Sequence, residues 1–223
     1  MAIGAVGILS PGDMGHIVGA VLRDHRLRVV TCLTGRSERT RALAAEAGFE
    51  DLPSLEALVE AADVLLSILV PAEAPAVAER VAGAVRTTGA DLLYVDCNAI
   101  APRTVRGIGE VMTGAGARFA DAGIIGPPPK GPGTRFYASG PGAAEFAELA
   151  ACGLDVRVLD GPVGQASGLK MCYAALTKGL TALGVELLLA ARLLGLEDAL
   201  AAEQRESVPV LRAHLERAVP GMP

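Results

Sequence analysis

Apolar stretches with the spacing of buried strands alternate with helical patterns along the first 160 residues. Short runs rich in Val, Ile and Leu lie at 5–9, 28–33, 63–70 and 92–95, and further strands are predicted at 118–125, 135–138 and 156–159. Most of these runs are followed by apolar residues at helical spacing, which predicts the helices 14–24, 38–47, 54–61, 74–85, 102–112 and 143–151. This alternation is typical of a doubly wound, mostly parallel α/β sheet.

The pattern changes after residue 162. Residues 165–194 contain no proline and predict one helix of roughly 45 Å, apolar on most of its circumference. Helices at 197–206 and 209–218 follow. We therefore expect a sheet domain at 1–162 and a small all-helical C-terminal domain at 163–223. An apolar helix of this length needs cover from a domain core or from a second subunit, so we expect a homodimer through these helices.

Composition narrows the class of protein. Hydrophobic residues make up 51% of the 223 positions and aromatic residues only 3%, so the core must consist of Ala, Val, Leu and Ile, which suits a parallel sheet covered by helices. The net charge of −5 and the lack of a basic run give no indication of a nucleic-acid or membrane partner. Four widely spaced cysteines form no metal framework and suggest a reducing compartment. Without a signal peptide or an uninterrupted apolar run of ~18 residues, we expect a soluble cytoplasmic protein.

The first candidate site is the turn between the first strand and the first helix. An apolar run leads into Ser10, Pro11, Gly12, Asp13, Met14 and Gly15. Strand, glycine turn and helix in this order begin a Rossmann-type dinucleotide-binding βαβ unit, in which the helix N-terminus faces the pyrophosphate. Ser10 stands where the motif has its first glycine. Many two-glycine turns bind nothing, so the turn alone leaves that alternative open.

Two further segments are expected at the cofactor. Arg36 and Ser37 follow the second strand, with no acidic residue before Glu38. An arginine here accommodates a 2′-phosphate, which favours NADP and leaves NAD as the alternative; an ordinary arginine at a helix start is the other interpretation. Val70 and Pro71 lie at the carboxyl end of a predicted central strand, where open α/β sheets bind their ligands.

Asn98 and Lys170 are the candidates for substrate chemistry. Asn98 follows the strand 92–95 and carries both a donor and an acceptor; it could instead be a turn residue, and Asp96 could cap the next helix. Lys170 lies one turn into the long helix, with Thr177 and Thr181 within about 20° of its direction. A lysine on this helix either meets a ligand, which would suit it to proton transfer, or extends to solvent or a partner charge.

These segments together resemble the β-hydroxyacid dehydrogenase superfamily, which includes 6-phosphogluconate and 3-hydroxyisobutyrate dehydrogenases. Residues 11–15 (PGDMG) are similar to its glycine turn, 96–102 (DCNAIAP) to its substrate motif, 121–126 (DAGIIG) to its glycine-containing segment, and 164–170 (GQASGLK) to its catalytic motif. The resemblance, together with the NADP preference inferred from Arg36 and Ser37, implies an NADP-dependent oxidoreductase that transfers a hydride to or from a small hydroxy acid or related carbonyl compound. Lys170 would be the general acid/base, and the implied substrate-binding residues are Asn98, Gly123, Ile124, Gly126, Tyr173 and Thr177.

The chain departs from the family pattern at three positions. Ser10 replaces a glycine, Asn98 a serine, and Ala174 an asparagine that follows the lysine by four residues, with Tyr173 beside it. The run 169–179 (LKMCYAALTKG) resembles a branch whose C-terminal domain has no assigned function, and the helical region is shorter than the family's, as a truncated chain or a minimal member would be. An imine reductase-like enzyme and a non-catalytic NADP-binding sensor or scaffold are the alternatives.

Overall fold

The computed structural model describes residues 3–218. It contains one eight-stranded sheet with the strand order β3-β2-β1-β4-β5-β6-β7-β8. All neighbouring strands are parallel except β6 and β7. The strands are β1 (Ala5–Ile8), β2 (Arg28–Thr31), β3 (Glu50–Asp51), β4 (Val64–Ser67), β5 (Leu93–Asp96), β6 (Arg118–Ile125), β7 (Arg135–Ser139) and β8 (Val156–Val158). The expected doubly wound, mostly parallel sheet is confirmed.

Nine α-helices connect and follow the strands in the described part of the chain. They are α1 (Gly15–Asp24), α2 (Glu38–Glu46), α3 (Leu55–Ala61), α4 (Ala74–Thr88), α5 (Pro102–Gly114), α6 (Ala143–Phe146), α7 (Gln165–Leu194), α8 (Glu197–Ser207) and α9 (Pro209–Ala218). Local chemistry sets several of their ends. Ser54 caps α3 by accepting a hydrogen bond from the Ala57 amide, Pro102 occupies the first turn of α5, and Gly89 ends α4 in the left-handed conformation.

One observed strand was not predicted, and two predicted elements differ from the observed ones. β3 was not predicted, because two residues are too few to carry a periodic pattern. The predicted helix 143–151 is a single α-helical turn, α6, continued as a 3-10 helix over Ala147–Cys152 and ended by Gly153 at φ 89°. The predicted strand 63–70 ends at Ser67, because the chain then turns and the Leu69 amide donates to the side chain of Asn98.

Both faces of the sheet are buried, which explains why most strands are continuous apolar runs in the sequence. On one face, Leu65, Tyr94 and Phe119 pack with residues of α3, α4 and α5. On the other face, Val6 and Phe136 belong to the cluster formed with α1 and α6. Burying a Val, Leu or Phe side chain contributes roughly 1.5–3 kcal/mol. Aliphatic residues supply most of this core, as the composition predicts.

The chain divides into two compact units, Met1–Met171 and Cys172–Pro223. The first unit contains the sheet, α1 to α6 and the first residues of α7. The predicted boundary after residue 162 lies earlier, at the end of the sheet; the structure groups the start of α7 with the sheet because that start is hydrogen-bonded to β6 and β7, as described below. In the second unit, Gly184 of α7 packs against Leu215 of α9, so a Cβ at position 184 would lie 2.3 Å from the Leu215 Cδ2.

Helix α7 has the predicted bounds but leaves much of its apolar surface uncovered in a single chain. Leu176 is 61% exposed, Leu194 71% and Leu193 88%. Contrary to the expectation from uninterrupted apolar runs, α7 is long and apolar enough to cross a membrane by length and composition alone. Polar residues interrupt the apolar run of α7, but the mean hydropathy of the helix stays high enough for a membrane-spanning segment. Core helices of soluble proteins meet the same criterion, so this property by itself identifies no partner.

Candidate functional site

The glycine turn between β1 and α1 is tightly built. The Gly12 amide donates to the Ser10 carbonyl at 2.8 Å, and the His16 amide donates to the Gly12 carbonyl at 3.0 Å. A Cβ on Gly15 would lie 2.4 Å from the Ser10 carbonyl oxygen, so only glycine lets α1 approach this closely. A Cβ on Gly12 would meet nothing within 4 Å. Gly15 therefore has the close-packing role expected of the motif, and Gly12 borders open space.

The N-terminus of α1 is available to an anion. Met14 at the cap position offers no side-chain hydrogen bond, and the backbone amides of Asp13 and Met14 have no partner within residues 3–218. Free amides and the positive end of the helix dipole favour a phosphate. The Asp13 carboxylate is largely exposed and forms an ion pair with Arg39, which offsets its negative charge near this terminus.

A cavity of about 730 Å³ opens at the carboxyl ends of β1 and β2, between the start of α3 and one face of α4. Leu9, Arg36 and Arg80 are among the lining residues. Arg36 is half-buried and its Nη2 donates to the Leu9 carbonyl at 2.9 Å. Burial, together with the charge of Arg80, lowers the pKa of Arg36. Ser37 does not line this cavity; its hydroxyl caps α2 by accepting a hydrogen bond from the Thr40 amide.

Val70 and Pro71 lie just beyond β4, at the same edge of the sheet as the glycine turn. Val70 is 69% exposed, and Pro71 opens a 3-10 helix, Pro71–Glu73. From the neighbouring strands β1 and β4, the chain continues to opposite sides of the sheet. An exposed apolar residue at the carboxyl edge beside this point suits contact with a bound ligand.

Asn98 is turned into the protein. Its side chain is buried, with Oδ1 accepting from the Leu69 amide at 2.6 Å and Nδ2 donating to Ser67 Oγ at 3.0 Å and Asp96 Oδ2 at 3.1 Å. The structure thus supports the turn alternative and does not present this amide to the cleft. Asp96 accepts from the Asn98 amide at 3.0 Å, and α5 begins without a side-chain cap, so Asp96 is not the helix cap.

Burial raises the pKa of Asp96 to about 6. Hydrogen bonds from Asn98 oppose this rise in the pKa, whereas the charge of Asp121 adds to it. The two carboxylates lie on paired strands, because Asp96 of β5 is in register with Asp121 of β6. A buried acid at the carboxyl edge of the sheet is therefore sensitive to pH near neutrality.

Asp121 anchors the start of α7, a role that the sequence did not reveal. Its Oδ2 accepts from the Gly164 amide at 2.8 Å, the Ser139 hydroxyl at 3.0 Å and the Ser167 amide at 3.1 Å, and its Oδ1 accepts from the Ser167 hydroxyl at 2.6 Å. Ser139 Oγ also accepts from the Ala166 amide. A buried carboxylate at a helix N-terminus is favoured by the helix dipole. The available signal was an acidic residue inside an otherwise apolar strand.

This anchor places Lys170 beside β6, one turn after Ser167. Lys170 is half-buried, and a Cβ on Gly123 would lie 3.0 Å from the Lys170 Cβ and 2.9 Å from the Ala166 carbonyl oxygen. Gly123 thus permits the close approach of β6 and α7. Ile124 contributes its side chain to the core. Gly126, at φ 123°, closes the following loop against Gly133.

Tyr173 and Thr177 belong to the second unit. The Thr177 hydroxyl donates to the Tyr173 carbonyl at 3.0 Å, and both residues line a cavity of about 500 Å³ with Lys178 and His214. Lys178 and His214 were not predicted as site residues. Within residues 3–218, no group of three or more His, Cys, Asp or Glu side chains is arranged to hold a metal ion.

The sheet order, the uncapped helix after the glycine turn and the cavity at the carboxyl edge define a dinucleotide-binding domain of the Rossmann type. Comparison with known families agrees. A model of the NAD binding domain of 6-phosphogluconate dehydrogenase matches residues 2–150, and the chain belongs to this family. The expected NAD-binding fold and the resemblance to the hydroxyacid dehydrogenases are thereby confirmed.

Similar proteins include two relatives at about 30% identity. An uncharacterised 28.5 kDa protein of Methanothermus fervidus is 30% identical over 195 residues, which are 87% of this chain and 74% of that protein. A solved structure of a conserved protein of unknown function, described as similar to 3-hydroxyacid dehydrogenases, is 32% identical with a TM-score of 0.78 and covers 96% of this chain and 80% of its own.

Two more distant structures share the fold. The Mycobacterium tuberculosis 3-hydroxyisobutyrate dehydrogenase with L-serine is 20% identical with a TM-score of 0.76, covering 99% of this chain and 76% of its own. An imine reductase variant from Myxococcus stipitatus in complex with NAD+ is 20% identical with a TM-score of 0.73, and the match covers 97% of this chain and 75% of the reductase. At this identity the likeness concerns the fold alone.

Proposed function

We propose that this protein is an NADP-dependent oxidoreductase that transfers a hydride between nicotinamide and a small hydroxy acid or related carbonyl compound. The observation that carries the proposal is the placement of Lys170 against Gly123 of β6. Gly123 lies two residues beyond Asp121, which pairs with the last residue of β5. Lys170 therefore lies at the carboxyl edge of the sheet, the edge that also carries the glycine turn and binds ligands in open α/β folds.

The residues of the proposed site have separate roles in binding the cofactor and in transferring the proton. Bound NADP would accept the hydride at nicotinamide C4 in oxidation, and bound NADPH would supply it in reduction. The amine of Lys170, as the general base in oxidation, takes the proton from the substrate hydroxyl oxygen while the hydride leaves the carbon that carries this hydroxyl, and it returns a proton to the carbonyl oxygen in reduction. The amides of Asp13 and Met14 bind the pyrophosphate, with Ser10, Pro11, Gly12 and Gly15 shaping the turn. Arg36 favours NADP over NAD.

A panel of small hydroxy acids with NADP, and of the matching carbonyl compounds with NADPH, tests the proposal at 340 nm. We expect turnover with at least one compound and a loss of about 10²–10⁴-fold in kcat in Lys170→Ala, with the affinity for NADP unchanged. Lys130→Ala, in an exposed loop, is the matched lysine control and should behave as wild type. Equal turnover by Lys170→Ala would remove the role of this lysine.

One observation favours a second candidate, a non-catalytic NADP-binding sensor or scaffold. The side-chain amide of Asn98 is used within its own turn, and Ala174 offers no polar group to a substrate. If the protein binds NADP but turns over no compound in the panel, this candidate replaces the enzyme. Adding cyclic imines with NADPH covers the imine reductase-like alternative, against which the presence of Lys170 argues.

We also propose that two copies associate through the C-terminal helices. Several leucines of α7, among them Leu176, Leu193 and Leu194, are exposed in a single chain, and a second copy would cover this apolar surface.

A further inference from the structure

The cavity beside β2 is bordered by two cations from different elements. Arg36 comes from the loop after β2, and Arg80 comes from α4. Their charges interact, because the charge of Arg80 contributes to the lowered pKa of Arg36. Arg36 is additionally fixed by its hydrogen bond to the Leu9 carbonyl. Two like charges are thus directed toward one space, which costs free energy unless an anion lies between them.

Neither arginine is neutralised by a carboxylate in the part of the chain that the structure describes. Within residues 3–218 no carboxylate forms an ion pair with Arg36 or Arg80, whereas Arg28, Arg39, Arg118 and Arg157 each have a carboxylate partner. The acidic residue among the cavity's lining side chains is Glu56. Its carboxylate accepts hydrogen bonds from its own backbone amide and from the Ser54 hydroxyl, which lower its pKa, so it is held at the start of α3. The Cys32 thiol, which also lines the cavity, is near Arg36.

The face of α4 beneath Arg80 suits a planar base. Arg80, Gly83, Ala84 and Thr87 recur at helical spacing along the cavity. A Cβ on Gly83 would meet nothing within 4 Å, so this part of the helix surface is open. The cavity therefore combines an open helix face of small side chains with a cationic border, which matches an adenine ring carrying a phosphorylated ribose.

We propose that Arg80 is the second cation of a 2′-phosphate site, where it and Arg36 bind the phosphate of NADP together. This inference rests on the proposed function and extends it to a residue that determines cofactor specificity. Guanidinium groups bind phosphate oxygens through paired, charge-assisted hydrogen bonds. NAD carries a hydroxyl in place of this phosphate and leaves the two positive charges facing each other. The repulsion between the two arginines is the same in the free protein and in the NAD complex, so specificity arises from its relief by the 2′-phosphate of NADP.

Isothermal titration calorimetry of the full chain tests the inference with four probes: NADP, NAD, 2′,5′-ADP and 5′-AMP. Wild type should prefer NADP to NAD and 2′,5′-ADP to 5′-AMP. Arg80→Ala should weaken binding of NADP and 2′,5′-ADP by about 10- to 100-fold and leave NAD and 5′-AMP unchanged. Arg86→Ala is the matched control, since Arg86 is exposed on the same helix but does not line the cavity. Arg80→Gln, which removes the charge but keeps two methylene groups and a polar end, should reproduce the effect of Arg80→Ala.

The outcomes separate this inference from the proposed function. If wild type binds neither NADP nor NAD, the proposed function fails. If wild type prefers NADP and Arg80→Ala retains that preference, Arg80 is not a 2′-phosphate ligand, although the proposed function stands. An equal loss of NADP and NAD in Arg80→Ala and Arg80→Gln would make Arg80 a general adenosine contact and would also overturn the inference. Displacement of 2′,5′-ADP by inorganic phosphate at low millimolar concentration would make the cavity a general anion site and would likewise overturn the inference.

Discussion

Gly123 lies directly against Lys170: a Cβ placed on this glycine would be 3.0 Å from the Cβ of the lysine. Strand β6 and helix α7 approach each other this closely because Asp121, two residues earlier, holds the first turn of the helix through its amides and the Ser167 hydroxyl. The position of the lysine is therefore determined by two residues of one strand, one through its small size and the other through its charge.

Gly123→Ala should displace α7 from β6. The added methyl group would meet the backbone carbonyl of Ala166 at 2.9 Å, which a side-chain rotation cannot relieve. We expect a loss of about 1–3 kcal/mol in the free energy of unfolding and at least about a tenfold lower kcat, with the affinity for NADP unchanged. Gly107→Ala on α5, where a Cβ has open space, is the control and should be neutral or slightly stabilising. Wild-type kcat in Gly123→Ala would show that this contact does not position the lysine.

Asp121→Asn should loosen the start of α7. An amide can accept hydrogen bonds through one oxygen only, and its NH2 group would face donors that now bind Asp121. We expect a cost of about 2–4 kcal/mol in urea unfolding and a fall in kcat without a matching change in NADP affinity. Asp160→Asn, at an exposed position, is the control. A parallel loss of kcat and of cofactor affinity would indicate general unfolding instead of a displaced lysine.

These two residues also show what the sequence could and could not predict. Helices α7 and α9 have the predicted bounds, because the helical spacing of apolar residues is visible in the local sequence. The anchoring role of Asp121 depends on partners 43 and 46 residues further along the chain, and the burial of Asn98 depends on Leu69, 29 residues earlier. Such pairings arise only when strands and helices meet in the fold. A motif position therefore identifies a residue but not the direction in which its side chain points.

Asp96 should make stability depend on pH in a defined direction. The pKa of Asp96 in the folded protein is about 6, whereas the ordinary value for an aspartate is 3.8. Between about pH 4 and 6 the folded state therefore holds a proton that the unfolded chain has released. The contribution of Asp96 to stability is therefore present at low pH and is lost as the pH rises through 6, by about 3 kcal/mol in total.

Urea unfolding of wild type and Asp96→Asn at several pH values from 4.5 to 7.5 measures this contribution. The difference in free energy of unfolding, wild type minus variant, removes the contributions of acids distant from position 96 and so isolates Asp96 together with its coupling to Asp121. That difference should fall as the pH rises and level off above about pH 7. A difference that stays constant, or increases with pH, would contradict the raised pKa.

The proposed dimer makes α7 sensitive to charge on its exposed apolar face. Leu193, at 88% exposure, costs the single chain little when replaced, so Leu193→Glu should leave the fold intact while opposing association. We expect light scattering to give a dimer for wild type and a monomer or a weaker dimer for the variant. Glu203→Gln, an exposed change on α8, serves as the control. A monomeric wild type would remove the proposed interface.

The proposed reaction requires a nicotinamide ring and Lys170 to share one space at the carboxyl edge of the sheet, which a crystal structure with NADP and a small hydroxy acid tests directly. We predict the Lys170 Nζ at about 3 Å from the substrate hydroxyl oxygen and nicotinamide C4 at about 3–3.5 Å from the substrate carbon. A nicotinamide bound elsewhere, or a lysine amine directed away from the substrate in the occupied site, would contradict the account.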